Sequence, residues 1–184
     1  MSELTDYGGK FDPKFSFDKF SKKTLLKLLK AYSEYMLRMD GFWFLTVMNK
    51  WGNDEAIDCD IKAWEKGQTY MIRTLGDLLN IHGDDLASLM KFQQVDTWAW
   101  IQDRVIDIKN DNHAIYTIRT CPTLFSLEKE GKGREREHCR VACSKIISRH
   151  TSNFNPNIKV TPLKLPPRKS NNDICCQWEF KLEK

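Results

Sequence analysis

The sequence predicts an α+β fold, and three observations carry that prediction. Between residues 21 and 96 apolar side chains recur every three or four positions. From Trp98 onward aromatic and β-branched residues gather in short runs, and Asn110, Asp111 and Asn112 separate two such runs as a turn does. The expected architecture is an N-terminal bundle of about four helices packed with a C-terminal antiparallel sheet and a crossing helix. It is read as one α+β domain over residues 1–184, with an arm over 1–20, a helical half over 21–96 and a sheet half over 97–184.

Ser21 is placed to cap the first helix, because a hydroxyl ahead of the apolar series Leu25, Leu28, Leu29, Tyr32, Met36 and Met39 can accept a free amide of the first turn. The series continues through Phe42, Trp43, Leu45, Val47 and Met48 to Trp51, where Gly52 ends it; Gly41 marks a bend or a close packing contact. Asn53 or Asp54 caps a second helix carrying Ala56, Ile57, Ile61 and Trp64, with Gly67 as its stop. A third helix is expected over Gln68–Leu79, and a fourth after Asp84 or Asp85 with Leu86, Leu89, Met90 and Phe92 on its buried side.

Trp98–Lys109 and His113–Cys121 form the predicted hairpin. Alternation along its second strand puts Ile115, Thr117, Arg119 and Cys121 on one face. Cys139–His150 reads as the crossing helix, and Ile158–Leu165 and Ile174–Leu182 as further strands. Proline cannot donate to a central ladder, so Pro166 and Pro167 belong to the connection between them.

Composition narrows the function classes. The formal charge is +4, from 29 basic and 25 acidic side chains. The basic residues after Lys129 are interleaved with Glu128, Glu130, Glu135 and Glu137, which reads as a solvated connector. Without a sustained basic face, nucleic acid is not an expected partner. No run approaches the roughly 20 apolar residues that span a bilayer, so no membrane partner is expected either. Residues 1–15 lack the apolar stretch of a secretory signal, and the six cysteines are too few for a disulfide scaffold; the expectation is a cytoplasmic protein with reduced thiols. No glycine-rich phosphate loop or serine-hydrolase elbow is present.

The cysteines carry the sharpest chemical reading. Cys139 and Cys143 lie four apart and share a helix face, while Cys121 ends one extended run and Cys176 sits in the last, so the four can converge. A thiolate is a nucleophile and a soft ligand, and Arg119 or Arg140 could lower the pKa of Cys121 or Cys139. Three readings stay open: ordinary core thiols, one or two thiols in catalysis, or Cys121, Cys139, Cys143 and Cys176 as ligands of zinc or an iron–sulfur centre. The sequence requires no cofactor, and the spacings lack the paired CxxC of a strong metal motif. His150, two helical turns after Cys143, can complete a Cys–His pair. Asp58 or Asp60 could move protons, although acids near a helix start also stabilise it. Trp43, Trp51, Trp64 and Tyr35 could line an aromatic pocket or simply pack.

Three patches resemble the family of L-2-amino-thiazoline-4-carboxylate hydrolase and its small cytosolic bacterial and archaeal relatives. They are Gly41–Glu65, Tyr116–Cys121 followed by a charged linker and Cys139, and Cys176–Phe180. The resemblance implies a helical first half, an antiparallel second half and hydrolysis of a small cyclic C–N or C–S compound in cysteine metabolism or natural-product biosynthesis. It matches Cys121, Cys139 and Cys176. Where relatives carry a CxxC pair ahead of the prolines, this chain has Pro162–Leu165.

The expected function is therefore hydrolysis of a small carboxylated heterocycle. Cys139 would add to the ring carbon, Arg119 would hold the carboxylate, and Asp58 or His150 would carry protons. Trp43, Trp64, Tyr116 and Trp178 would contact the substrate. The competing expectation is a non-catalytic small-molecule- or metal-binding accessory protein of a biosynthetic pathway. A homo-oligomer is compatible with either.

Overall fold

The computed structural model describes residues 3–183 and has the expected α+β architecture. Ser21 caps α1 (Lys22–Trp51), accepting a hydrogen bond from the Thr24 amide at 3.2 Å. Gly52, at φ 98°, turns the chain straight into α2 (Asn53–Leu79), a conformation that a side chain would strain. The expected second and third helices are this one element. Gly67 does not stop it: the site is open to solvent, and the inward row Asp60, Trp64, Gln68 and Met71 continues across it. A lone glycine weakens a helix by only about 1 kcal/mol, which packing on both sides of it outweighs.

Asn80, in the left-handed region at φ 55°, ends α2. The chain returns through α3 (Leu86–Val95), whose Asp85 cap accepts the Ser88 amide at 2.6 Å. A Cβ on Gly76 would sit 3.1 Å from the Ile81 carbonyl, so glycine permits this close return. The expected strand from Trp98 begins later. Asp96 accepts the Ala99 amide and winds Thr97–Trp100 into a 3₁₀ turn before β1 (Asp103–Asn110).

β1 pairs antiparallel with β2 (His113–Thr120), β2 with β4 (Cys176–Leu182), and β4 with β3 (Ile158–Lys164), giving the order β1-β2-β4-β3. Alternation places Ala114, Tyr116 and Ile118 of β2 and Trp178 and Phe180 of β4 inside. Burying Trp178 and Phe180 of the sheet, and Phe92 of α3 against Phe154, contributes roughly 1.5–3 kcal/mol each.

The expected solvated connector is largely helical. Pro122, which needs no amide partner at a first helical position, starts α4 (Pro122–Glu130), and Leu124 and Leu127 are buried. Its acids are paired: Glu128 with Arg168 and Glu130 with Arg134. After α5 (Glu135–Glu137) the chain makes a wide π turn over His138–Cys143 and continues as α6 (Ser144–Phe154). Asn53 reaches Glu137 at 2.9 Å and Arg149 reaches Glu65 at 2.6 Å, pinning this segment along α2.

Two apolar clusters result. One joins α3, α4 and the inner sheet face; the other joins Phe44 and Val47 of α1, Ala56, Ile57 and Ile61 of α2, and Ala142 of the π turn. Residues of both clusters line a single cavity between them.

Candidate functional site

The cavity has a volume of about 790 Å³, ample for a small ring compound. On its helical side α2 presents Asp60, Trp64 and Gln68, three residues at successive turns of one face, while α1 contributes Asp40. Trp64 Nε1 donates to Asp40 Oδ1 at 3.1 Å, and the Trp64 and Trp98 rings lie 5.4 Å apart. Burial pushes the Asp40 carboxyl up to about 6 against the Trp64 hydrogen bond. Burial, and then repulsion from Asp40, push Asp60 up to about 7. Two carboxyls thus face one space, with one proton between them near neutral pH.

The sheet side is different in kind. Arg104 of β1 forms a buried ion pair with Asp96 and donates to the Tyr116 hydroxyl at 2.6 Å. Burial holds the Tyr116 phenol well above its usual range.

Five thiols line the same space: Cys121, Cys139, Cys143, Cys175 and Cys176. Cys121 receives a weak hydrogen bond from Gln102 at 3.8 Å, and Cys176 one from Trp178 Nε1 at 3.2 Å. Burial pushes Cys121 and Cys175 up to about 11 and Cys176 higher still. A hydrogen bond with Cys139, followed by burial, raises Cys143 well above the ordinary thiol value. The π turn brings Cys139, Cys143 and His138 to one wall, a use to which such turns are often put. Burial pulls His138 and His150 down to about 4, and the Nδ1 of each has no partner in the structure. Both imidazoles are therefore neutral at pH 7.

A family model described as a family of unknown function, DUF6125, matches residues 18–182. The chain belongs to that family. No curated protein and no solved structure matches it.

In this DUF6125 member the sequence candidates divide. Cys121, Cys139, Cys143, Cys176, His150, Trp64, Tyr116 and Trp178 all line the cavity. Asp58 does not: it lies on the outer face of α2, paired with Lys62, and Asp60, two residues on, turns inward in its place. Arg119 is exposed on the outer face of the sheet. β2 ends at Thr120 and Cys121 is the cap position ahead of α4; Cys121 lines the cavity, whereas Arg119 does not. Arg140 is exposed as well, leaving neither arginine to stabilise a cavity thiolate. Trp43, Trp51 and Tyr35 are exposed at 45%, 59% and 63%, so the aromatic wall is Trp64 with Trp98 rather than the α1 residues.

The thiols also do not form the metal site considered from the sequence. Among the described residues no group of three or more His, Cys, Asp or Glu side chains is arranged to hold a metal ion. Among the same residues, no helix is long and apolar enough to cross a membrane.

Asp40 was not legible as a site residue from periodicity. Its one signal is an acidic side chain set in the apolar stretch around Met39, Phe42 and Trp43. Asp96 and Arg104 gave no signal at all, because they meet only when the 3₁₀ turn folds back on β1.

Proposed function

We propose that this DUF6125 member is a hydrolase-like enzyme that opens a small carboxylated, thiazoline-like heterocycle inside the cavity. The observation that carries the reading is the Asp40–Asp60 pair, two carboxyls on one cavity wall with one proton between them near neutrality. Such a pair supplies a base and an acid at once. The ionised carboxylate takes a proton from water as the water adds to the ring carbon between nitrogen and sulfur. The protonated partner gives its proton to the departing sulfur or nitrogen. The resemblance to L-2-amino-thiazoline-4-carboxylate hydrolase supports the substrate class.

A covalent route through Cys139 is the other form of the same proposal, since its thiol lines the cavity. The surroundings favour water. The neighbouring thiols are held protonated by burial, and the arginines expected to activate them lie outside. Incubation with 2-amino-thiazoline-4-carboxylate, following both the free thiol released when sulfur departs and the free amine released when nitrogen departs, tests the reading. Turnover abolished by Asp60→Asn and retained by Cys139→Ala supports the acid–base route; the reverse supports the covalent one. Absence of turnover in the folded wild-type protein contradicts both.

One observation favours a non-catalytic binding protein instead: the Trp64–Trp98 wall and four buried, protonated thiols make much of the cavity chemically quiet. A small molecule that copurifies unchanged, with no ring opening, would support that reading.

A further inference from the structure

We infer that the helical wall of the cavity is a receptor for a planar cation of the amidinium class, an N–C–N group with several N–H donors. The inference deepens the hydrolase reading, in that it names the charge and donor pattern of whatever occupies that same cavity.

Asp40, Asp60 and Gln68 line the cavity with the oxygens of two carboxyls and an amide, Gln68 two helical turns along α2 from Asp60, and Trp64 Nε1 is the donor that reaches the carboxyls. Gln68 Oε1 is buried without a partner. Asp60 is 3% exposed, and no basic side chain contributes to the ionisation of either acid; the charge that acts on Asp60 is the like charge of Asp40. Of the other basic groups that line the cavity, Arg104 pairs with Asp96, Arg134 with Glu130 and Lys30 with Glu34, while Arg38 is exposed and acts on neither acid. Cys143, whose thiol the Asp60 charge helps to hold protonated, adds no positive charge.

Buried acceptors in native proteins are almost always met by donors. A proton retained on one acid satisfies part of this set and leaves Gln68 unmet. An amidinium matches the remainder, since its two nitrogens form a fork that fits a carboxylate and its charge replaces the proton of the pair. The tryptophan faces add a further attraction for a flat cation. Independently, His150, 2% exposed on the same cavity, leaves Nδ1 without a partner, a second polar group held ready for an occupant.

Calorimetric titration of the whole protein with benzamidinium, benzamide and benzoate tests the inference. These three probes share a shape and differ in charge and donors. Benzamidinium is expected to bind at least about tenfold more tightly than either of the others. Asp60→Asn and Asp40→Asn are expected to remove that preference, and Asp58→Asn on the outer face to keep it. On the unaltered protein, repeating the titration in buffers of different ionisation enthalpy is expected to show proton release as the cation displaces the proton that Asp60 retains. That readout stands if a substituted protein fails to fold. Equal affinity for benzamide or benzoate, no binding of any probe, or cation binding without proton release overturns the inference. Selective binding of benzamidinium by a protein that opens no thiazoline ring contradicts the hydrolase reading and leaves this one standing. Ring opening with no preference for the cation does the opposite.

Discussion

The two walls of the cavity both bury carboxylates, yet they treat them in opposite ways. On the sheet side Asp96 meets Arg104, and Tyr116 receives the guanidinium's remaining reach, so charge and hydrogen bonds close within the fold. On the helical side Asp40 and Asp60 face each other with only Trp64 to donate. A protein selected for stability alone would not leave two like charges buried together, because ionising both is strongly unfavourable. The difference sets a wall whose charges close within the fold against one that leaves acceptors open, as the proposed binding of a cation there requires.

The largest expected effect breaks the comparison from the helical side. Asp60→Asn should lower turnover by about 10²–10⁴-fold, the usual contribution of a positioned acid or base, in steady-state assays on folded protein. On the sheet side, Arg104→Ala or Asp96→Ala leaves a buried charge unpaired. Denaturant unfolding should show a loss of about 3–5 kcal/mol. The walls are thus expected to fail differently, one in function and the other in stability.

The pH dependence of stability sharpens the contrast. Asp60 and Asp40 are raised from 3.8 to about 7 and about 6, so through that window the folded protein holds protons the unfolded chain has already released. Stability from these groups therefore falls as pH rises from about 4 toward 7. His138 and His150 are lowered from 6.5 to about 4, and their contribution falls in the other direction, as pH drops through the same range. The two trends oppose each other. Asp60→Asn removes one carboxyl and should add a rise of about 1.4 kcal/mol per pH unit, relative to wild type, between pH 4 and 7 in denaturant midpoints. The same substitution should leave the protein more stable than wild type at pH 7.

Smaller effects test single contacts. Trp64→Phe keeps the ring and removes the Nε1 donor, which should cost about 1 kcal/mol and push the Asp40 carboxyl further up. Asp58→Ala, on the outer face of the same helix, should change stability by less than about 0.5 kcal/mol and turnover not at all.

The fold was largely legible because its signals are local. The Ser21 cap, the 3–4 spacing of α1 and the Asn110–Asn112 turn each act over a few residues, and the structure has them where the pattern puts them. What was not legible depends on distant partners. Gly67 reads as a stop until packing on both sides carries α2 through it; the charge run after Glu128 is largely solvent-facing as read, but Glu128 itself is met by Arg168 from the far side. The π turn has no residue signature that separates it from an α-helix. The cysteines pointed to the cavity because buried thiols are few and conspicuous. The carboxyl pair did not, since Asp40 and Asp60 meet only after the Gly52 reversal lays α1 against α2. Asp58 and Asp60 look alike in sequence, and the register of α2 alone sends one to Lys62 and the other inward.

Asp40 and Asp60 line the cavity wall with no basic side chain acting on either. Carbon-13 NMR titration of aspartate carboxyls reads this most directly. Two resonances should titrate at about 6 and about 7; each of Asp40→Asn and Asp60→Asn should remove one of them, and Asp40→Asn should also bring the Asp60 titration down, since the repulsion that adds to its burial is gone. If every aspartate carboxyl of the wild-type protein titrates below about 5, as freely solvated or ion-paired acids do, that arrangement is contradicted.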